Sequence, residues 1–240
     1  MTARIVCLVL VIGCATRAWS APPDDPDDLY RHREDLASAS KAADLWAEHS
    51  ATDYDAAWKL ARDCYWLGTH LPERSRRAAL DRGVKAGEDA IRLRPDRPEG
   101  HFWLAANMGR LAESYGLMEG LRYRGRIKDE LERALAIQPG WEGGSADAAL
   151  GEWYGEVPRL FGGSTAKAEA HLRKALEYDP QNLEALVTLA RVLADHGRQD
   201  EARQLFDRVL AAPVSQEWAP EDREFKRQAA ERLESLSATH

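Results

Sequence analysis

Ala90-Ile-Arg-Leu-Arg-Pro95, Ala134-Leu-Ala-Ile-Gln-Pro139 and Ala175-Leu-Glu-Tyr-Asp-Pro180 are three versions of one helix ending, and their recurrence decides the fold. Each sets an apolar pair on a helix and stops it at a proline, which lacks the amide hydrogen needed to continue the ladder. Val209-Leu-Ala-Ala-Pro213 is a degenerate fourth copy. The four prolines are spaced 44, 41 and 33 residues apart, within the range of periods expected of stacked helical repeats.

Upstream of each ending lies a second helical segment with its own pattern. Leu150-Gly151-x-x-Tyr154 is the clearest, followed by Leu104-Ala105-x-x-Met108 and Leu189-Ala190-x-x-Leu193; Trp58-x-x-Ala61-x-x-x-Tyr65 is the least regular. The small residue lets a partner helix approach closely while its large neighbours fill the groove. Gly83, Gly87, Ala168 and Ala202 serve the same end on the second helices. Across the rest of the chain apolar residues recur at three and four, punctuated by Pro and Gly, and no stretch after the N-terminal run alternates with period two. The periodicity predicts helices near 30–50, 53–69, 73–93, 97–115, 118–137, 144–157, 164–178, 181–196, 199–211 and 220–237.

These residues resemble the tetratricopeptide repeat, a helix–turn–helix of about 34 residues with a closing proline. Residues 183–213 fit that length, and the earlier units carry extra residues expected between their helices, on one edge of a solenoid. The expected fold is all-α: a right-handed superhelix of antiparallel helix pairs, with about four units and a capping helix at each end.

The first 20 residues stand apart. Arg4 precedes the apolar run 5–15, and Ala18-Trp19-Ser20 forms a small-x-small cleavage site before Ala21. The run is shorter than the roughly 20 apolar residues a membrane span needs, so a secretory signal over 1–20 is expected. Residues 21–29 read as an acidic, Pro-rich linker, and 30–240 as the repeat domain. Val11-Ile12-Gly13-Cys14 also matches a lipobox loosely, which would make Cys14 a lipid site. A periplasmic or secreted protein is expected, or a membrane-anchored lipoprotein if Cys14 is modified. Cleavage after Ser20 leaves Cys64 as the one thiol, in a helical pattern where it reads as a small buried hydrophobe.

With 40 acidic against 33 basic residues, the net charge of −7 argues against a general nucleic-acid binder. No His-Glu-x-x-His, paired Cys-x-x-Cys or phosphate-cradling glycine pattern is present. Ser145 and Ser164 follow Gly-Gly but lack the trailing glycine of a nucleophile elbow, so both read as N-caps. The seven histidines show no ligand spacing, and His101 reads as a packing residue. Neither an enzyme nor a cofactor or metal is expected.

A narrower resemblance rests on Tyr65-Trp66-Leu67-Gly68, Glu99-Gly100-His101-Phe102-Trp103-Leu104, Pro158-Arg159-Leu160-Phe161-Gly162-Gly163-Ser164 and the tail Glu217-Trp218-Ala219-Pro220-Glu221-Asp222-Arg223-Glu224-Phe225-Lys226. These are similar to exported bacterial repeat proteins related to the T component of TRAP transporters. That resemblance implies a non-catalytic binding protein whose partner is another exported protein, such as a periplasmic solute-binding protein, or a small organic ligand. The alternative is a general interaction scaffold of the envelope.

The repeat register sets Lys59, Asp63 and Trp66 on one face of the first unit. It sets Glu99, Phe102 and Ala106, then Glu152, then Glu184 and Arg191, on the corresponding face of later units. In a solenoid that face is concave, where such proteins hold ligands. The binding residues so expected are Trp66, Phe102, Lys59, Asp63, Glu152 and Arg191, with Trp66 and Phe102 equally able to serve as packing between layers.

Overall fold

The computed structural model describes residues 24–238; the apolar run 5–15, the cleavage site and Cys14 lie outside them. The described residues form eleven α-helices, two short 3-10 turns and no strand. Four antiparallel pairs match the four units: α3 (Tyr54–His70) with α4 (Glu73–Leu93), α5 (Pro98–Ser114) with α6 (Leu117–Ile137), α7 (Ser145–Glu156) with α8 (Thr165–Tyr178), and α9 (Leu183–Asp195) with α10 (Gln199–Ala211). The pair α1 (Pro26–Arg31) and α2 (Leu36–Ala47) caps one end, and α11 (Ala219–Ala238) caps the other. The all-α, tetratricopeptide-like solenoid is as expected.

Local chemistry explains the boundaries. Pro95, Pro139 and Pro180 each directly follow the C-cap residue of α4, α6 and α8. Asp53, Ser164 and Asn182 cap α3, α8 and α9 by accepting amide hydrogens. Ser145 does not cap: it is the first residue of α7, and its hydroxyl donates to the Glu142 carbonyl at 2.7 Å. The first predicted helix is in fact two, because Asp35 accepts from the amides of Ala37 and Ser38 and starts α2 afresh. Helix α1 begins inside the stretch read as linker, with Pro26 at its first turn and Asp27 and Asp28 favoured beside the positive end of the helix dipole.

The extra length of the first two units lies within helices rather than between them. Helices α4 and α6 have 21 residues each, against 13 for α10, and only residues 71–72 and 115–116 join them to their partners. The third unit alone carries a true insertion, residues 157–164.

Close approach at small residues sets the helix spacing. A Cβ on Gly87 would stand 2.9 Å from the Cα of Leu104 on the next unit, which no side-chain shift relieves. At Gly83 the same atom would collide with Asn107, whose buried amide donates to the carbonyls of Ala61 (2.9 Å) and Trp103 (2.8 Å) and so ties α3 to α5. Within the third unit Gly151 receives Leu172. Cys64 sits fully buried on α3, where burial pushes its thiol up to about 12. It is inert, as read from the sequence.

The two ends of the solenoid meet. Arg33, in the turn between α1 and α2, is buried and forms a two-pronged ion pair with Glu221 of α11, while also donating to the Glu217 carbonyl at 2.8 Å. Its guanidinium faces the rings of Tyr30, Trp66 and Trp218 at 4.6, 5.2 and 5.8 Å. Removing one partner of such a pair strands the other charge, so Arg33→Ala should cost about 3 kcal/mol in urea unfolding. Amide exchange should rise first in α11, and unchanged protection of α11 would show that the contact does not hold the end in place.

Candidate functional site

The closure turns the concave face into a bounded groove of about 830 Å³, within the roughly 300–1,000 Å³ typical of ligand pockets. It opens between α5 and α7: α3 packs on α5 and α7 on α9, but α5 and α7 diverge. Both ends contribute to its wall, Tyr30 from α1 and Trp218 and Phe225 from the C-terminal segment. Its centre is aromatic. Phe102 meets Trp103 edge-on at 5.1 Å and Trp141 at 5.0 Å, and Tyr65 lies 5.8 Å from Trp103, distances at which ring quadrupoles attract. Gly109 leaves the middle of the α5 wall open, since a Cβ there would meet nothing within 4 Å.

Carboxylates are set into this apolar wall. Glu152 and Glu156 share Arg191, at 3.2 and 3.0 Å, and Glu113 takes Arg110 at 2.5 Å. Among the described residues the Glu184 side chain has no hydrogen bond or ion pair; burial and then the neighbouring Glu152 push its carboxyl up to about 8. Partial desolvation among the groove walls also raises Glu113 and Glu142, each of which keeps an exposed side, and burial raises the Tyr65 phenol well above its ordinary value. Glu142 stands in the strained left-handed region, with φ 46°, the one non-glycine residue so placed among those described. Such a conformation costs roughly 1–2 kcal/mol for an L-residue. It persists because Gly140, Gly143 and Gly144 turn the chain tightly around it, with Gly144 pressed against Ala175.

The residues expected on this face divide. Phe102 and Glu152 line the groove, and Arg191 stands behind Glu152 as its partner. Trp66, Lys59 and Asp63 do not line it. The Trp66 indole donates to the Arg33 carbonyl at 2.7 Å and stacks on His70. Lys59 pairs with Asp27 at 2.6 Å. Asp63 is fully buried beside Arg62, and burial pushes its carboxyl up to about 7. The physical reason is that the N-terminal segment lies over this face of α3, so the groove turns to Tyr65 instead. Glu99 is likewise occupied, by the Tyr54 hydroxyl and Arg97. Helix periodicity put the three residues on one face correctly but carried no sign of what covers it. Tyr65, Trp103, Trp141 and Trp153 were the missed lining residues; their large aromatic side chains were the available signal.

Two other sequence readings are placed by the structure. His101 is satisfied by Glu130 at 2.6 Å and the Pro95 carbonyl at 3.1 Å. The insertion 157–164 does build an edge of the groove, with Val157, Pro158 and Phe161 on its lip.

The raised carboxyl of Glu184 should make stability pH-dependent. Its folded form keeps a proton to about pH 8, whereas an unfolded glutamate releases it near 4.3. The folded state therefore binds more protons across that window, and stability falls as pH rises through it. Glu184→Gln removes this loss, so its melting temperature should exceed that of the parent at pH 9, with the gap shrinking toward pH 5. The neighbouring Glu152, Glu113, Arg110, Arg191 and Tyr65 are common to both proteins. Equal melting temperatures at pH 9 would show that Glu184 is not held out of water.

Comparison with known proteins agrees with this architecture. The chain is 22% identical over 208 residues to regulator of microtubule dynamics protein 1 of Caenorhabditis elegans, covering 79% of this chain and 89% of that protein. It is 33% identical over 85 residues to regulator of microtubule dynamics protein 2 of Bos taurus, covering 34% of this chain and 20% of the relative. Among solved structures it is similar to a thermophilic TPR protein of Thermus thermophilus, with a TM-score of 0.65 at 23% identity over 87% of this chain and 97% of that one. This likeness shows the fold alone. The family described as regulator of microtubule dynamics protein 1-3 matches residues 25–237, from the cap of α1 to the end of α11. The chain belongs to that family.

Proposed function

We propose that the protein is a non-catalytic binding component whose concave groove takes a segment of another protein. The observation that carries this reading is the groove itself, an aromatic cavity of about 830 Å³ bounded by both ends of the solenoid. Its lip leaves large apolar side chains in water, Leu117 at 71% and Leu121 at 41% exposure, as surfaces awaiting a partner do. Serines near the groove are engaged in local structure: Ser145 donates to the Glu142 carbonyl, and Ser215 accepts from the Trp218 amide.

Photocrosslinking tests the reading. A benzophenone amino acid in place of Gly109 should yield protein adducts in cells, and the same residue in place of Lys85, on exposed α4, should yield none. Equal adducts from both positions would remove the groove from the function. The likeness to T components makes an exported solute-binding protein one partner to look for among the adducts. The family match over 25–237 supports a second reading, a part in microtubule dynamics, for which tubulin would be the adduct.

We further propose export, supported by the apolar run 5–15 and the site before Ala21. Mass spectrometry of the mature protein should find Ala21 at the N-terminus, or a lipid on Cys14. An intact Met1 form in the cytoplasm would overturn both.

A further inference from the structure

We infer that the segment taken by the groove is basic and amphipathic, seating a lysine or arginine against Glu184 and its apolar side chains on the lip. This rests on the groove reading above and adds the chemistry of the occupant.

Charge complementarity carries the argument. Eight carboxylates line the groove against two guanidinium groups, Arg110 and Arg124. Arg110 is engaged by Glu113, and Arg124 lies over the Phe161 ring at 5.3 Å, paired with none of the eight, so its single charge leaves the lining acidic. Of the cations just behind the wall, Arg191 is divided between Glu152 and Glu156, and Arg33 is taken by Glu221. Glu184 and Glu142 are left with no cationic contact closer than a general electrostatic one. Glu184 holds its proton because Glu152 and the apolar wall crowd it, so a cation seated beside it would take that proton's place as the balancing charge, whereas an anionic occupant would meet the ionised carboxylates around it. The faces of Tyr65, Phe102 and Trp103 stand in the same cavity, where a desolvated cation gains a further attraction.

The lip distinguishes a protein segment from a small amine. Leu117, Leu121 and Phe161 line the mouth, and Met118, 77% exposed, and Leu160 adjoin them in sequence. An amine inside the cavity would leave these side chains in water. A chain carrying leucine-like residues on either side of its cation covers them, as an amphipathic helix does in an apolar groove.

The test uses the full chain and fluorescence anisotropy with two labelled synthetic peptides. One sets leucine and lysine on opposite faces of a helix, and the other has glutamate in place of each lysine. The leucine–lysine peptide should bind at least about tenfold more tightly than its glutamate counterpart, as expected of a like-charge mismatch. Glu184→Gln should weaken it by about fivefold or more. Gly109→Trp, which fills the open wall, should abolish it, with circular dichroism confirming the fold. If both peptides bind alike and both are lost in Gly109→Trp, the groove reading stands and the basic occupant is overturned. Unchanged affinity in Glu184→Gln overturns it as well. If binding ignores Gly109→Trp, the groove reading itself fails and this inference fails with it.

Discussion

The guanidinium of Arg33 lies buried between Glu221, the Glu217 carbonyl and the rings of Tyr30, Trp66 and Trp218, and it joins segments 188 residues apart. A stack of helix pairs is otherwise quasi-one-dimensional, each unit touching its neighbours and leaving the concave side open to water. The pair converts that open crescent into a bounded cavity, because Tyr30 arrives with one partner and Trp218 and Phe225 with the other. Arginine suits the position: its planar fork engages both carboxylate oxygens while its faces stack on aromatic rings, which an ammonium cannot do. The nearby pair of Arg223 with Glu34 is half exposed and adds little of its own.

The closure works only because the spacing of the helices is fixed. Gly87 lets the Leu104 backbone approach to a distance that a methyl group would prevent, and Gly151 makes room for the Leu172 side chain. A change in this spacing repeated over four units would displace α11 from the α1–α2 turn. The register of small and large residues along the helices thus acts at a distance on the groove, through rigid stacking rather than through any contact with its wall.

Polar groups away from the groove are largely paired. Asn107 meets two backbone carbonyls, His101 meets Glu130 and Pro95, and Asp147 meets His171 at 2.8 Å. Single buried atoms elsewhere lack a hydrogen bond, among them the Trp46 indole nitrogen, Asp63 Oδ2 and Asn107 Oδ1, but three departures of different kinds meet at the cavity: the Glu184 carboxyl without a partner, Glu142 in a strained conformation, and large apolar side chains exposed on the lip. An unpaired carboxyl, a strained backbone and an exposed apolar lip brought together in one place are what a binding site imposes on a folded chain.

What the sequence determined by itself was most of what depends on neighbours within a few turns. The proline stops, the cap at Ser164, and the small–large pattern at Leu104-Ala105 and Leu150-Gly151 were legible because they act through the adjacent backbone or a helix face of period 3.6, whereas Ser145, read the same way, opens α7 without capping it. The places of Phe102 and Glu152 in the groove followed from that period. The break between α1 and α2 was missed, since the capping aspartate at 35 sits within an otherwise helical pattern. What only the tertiary structure decided was which face of α3 meets water. Lys59, Asp63 and Trp66 share a face, as their spacing requires, but that face is occupied by Asp27, Arg62 and Arg33. Periodicity assigns residues to a face; only the long-range path of the termini, closed by an ion pair between α11 and the α1–α2 turn, determines whether that face is a wall or a core.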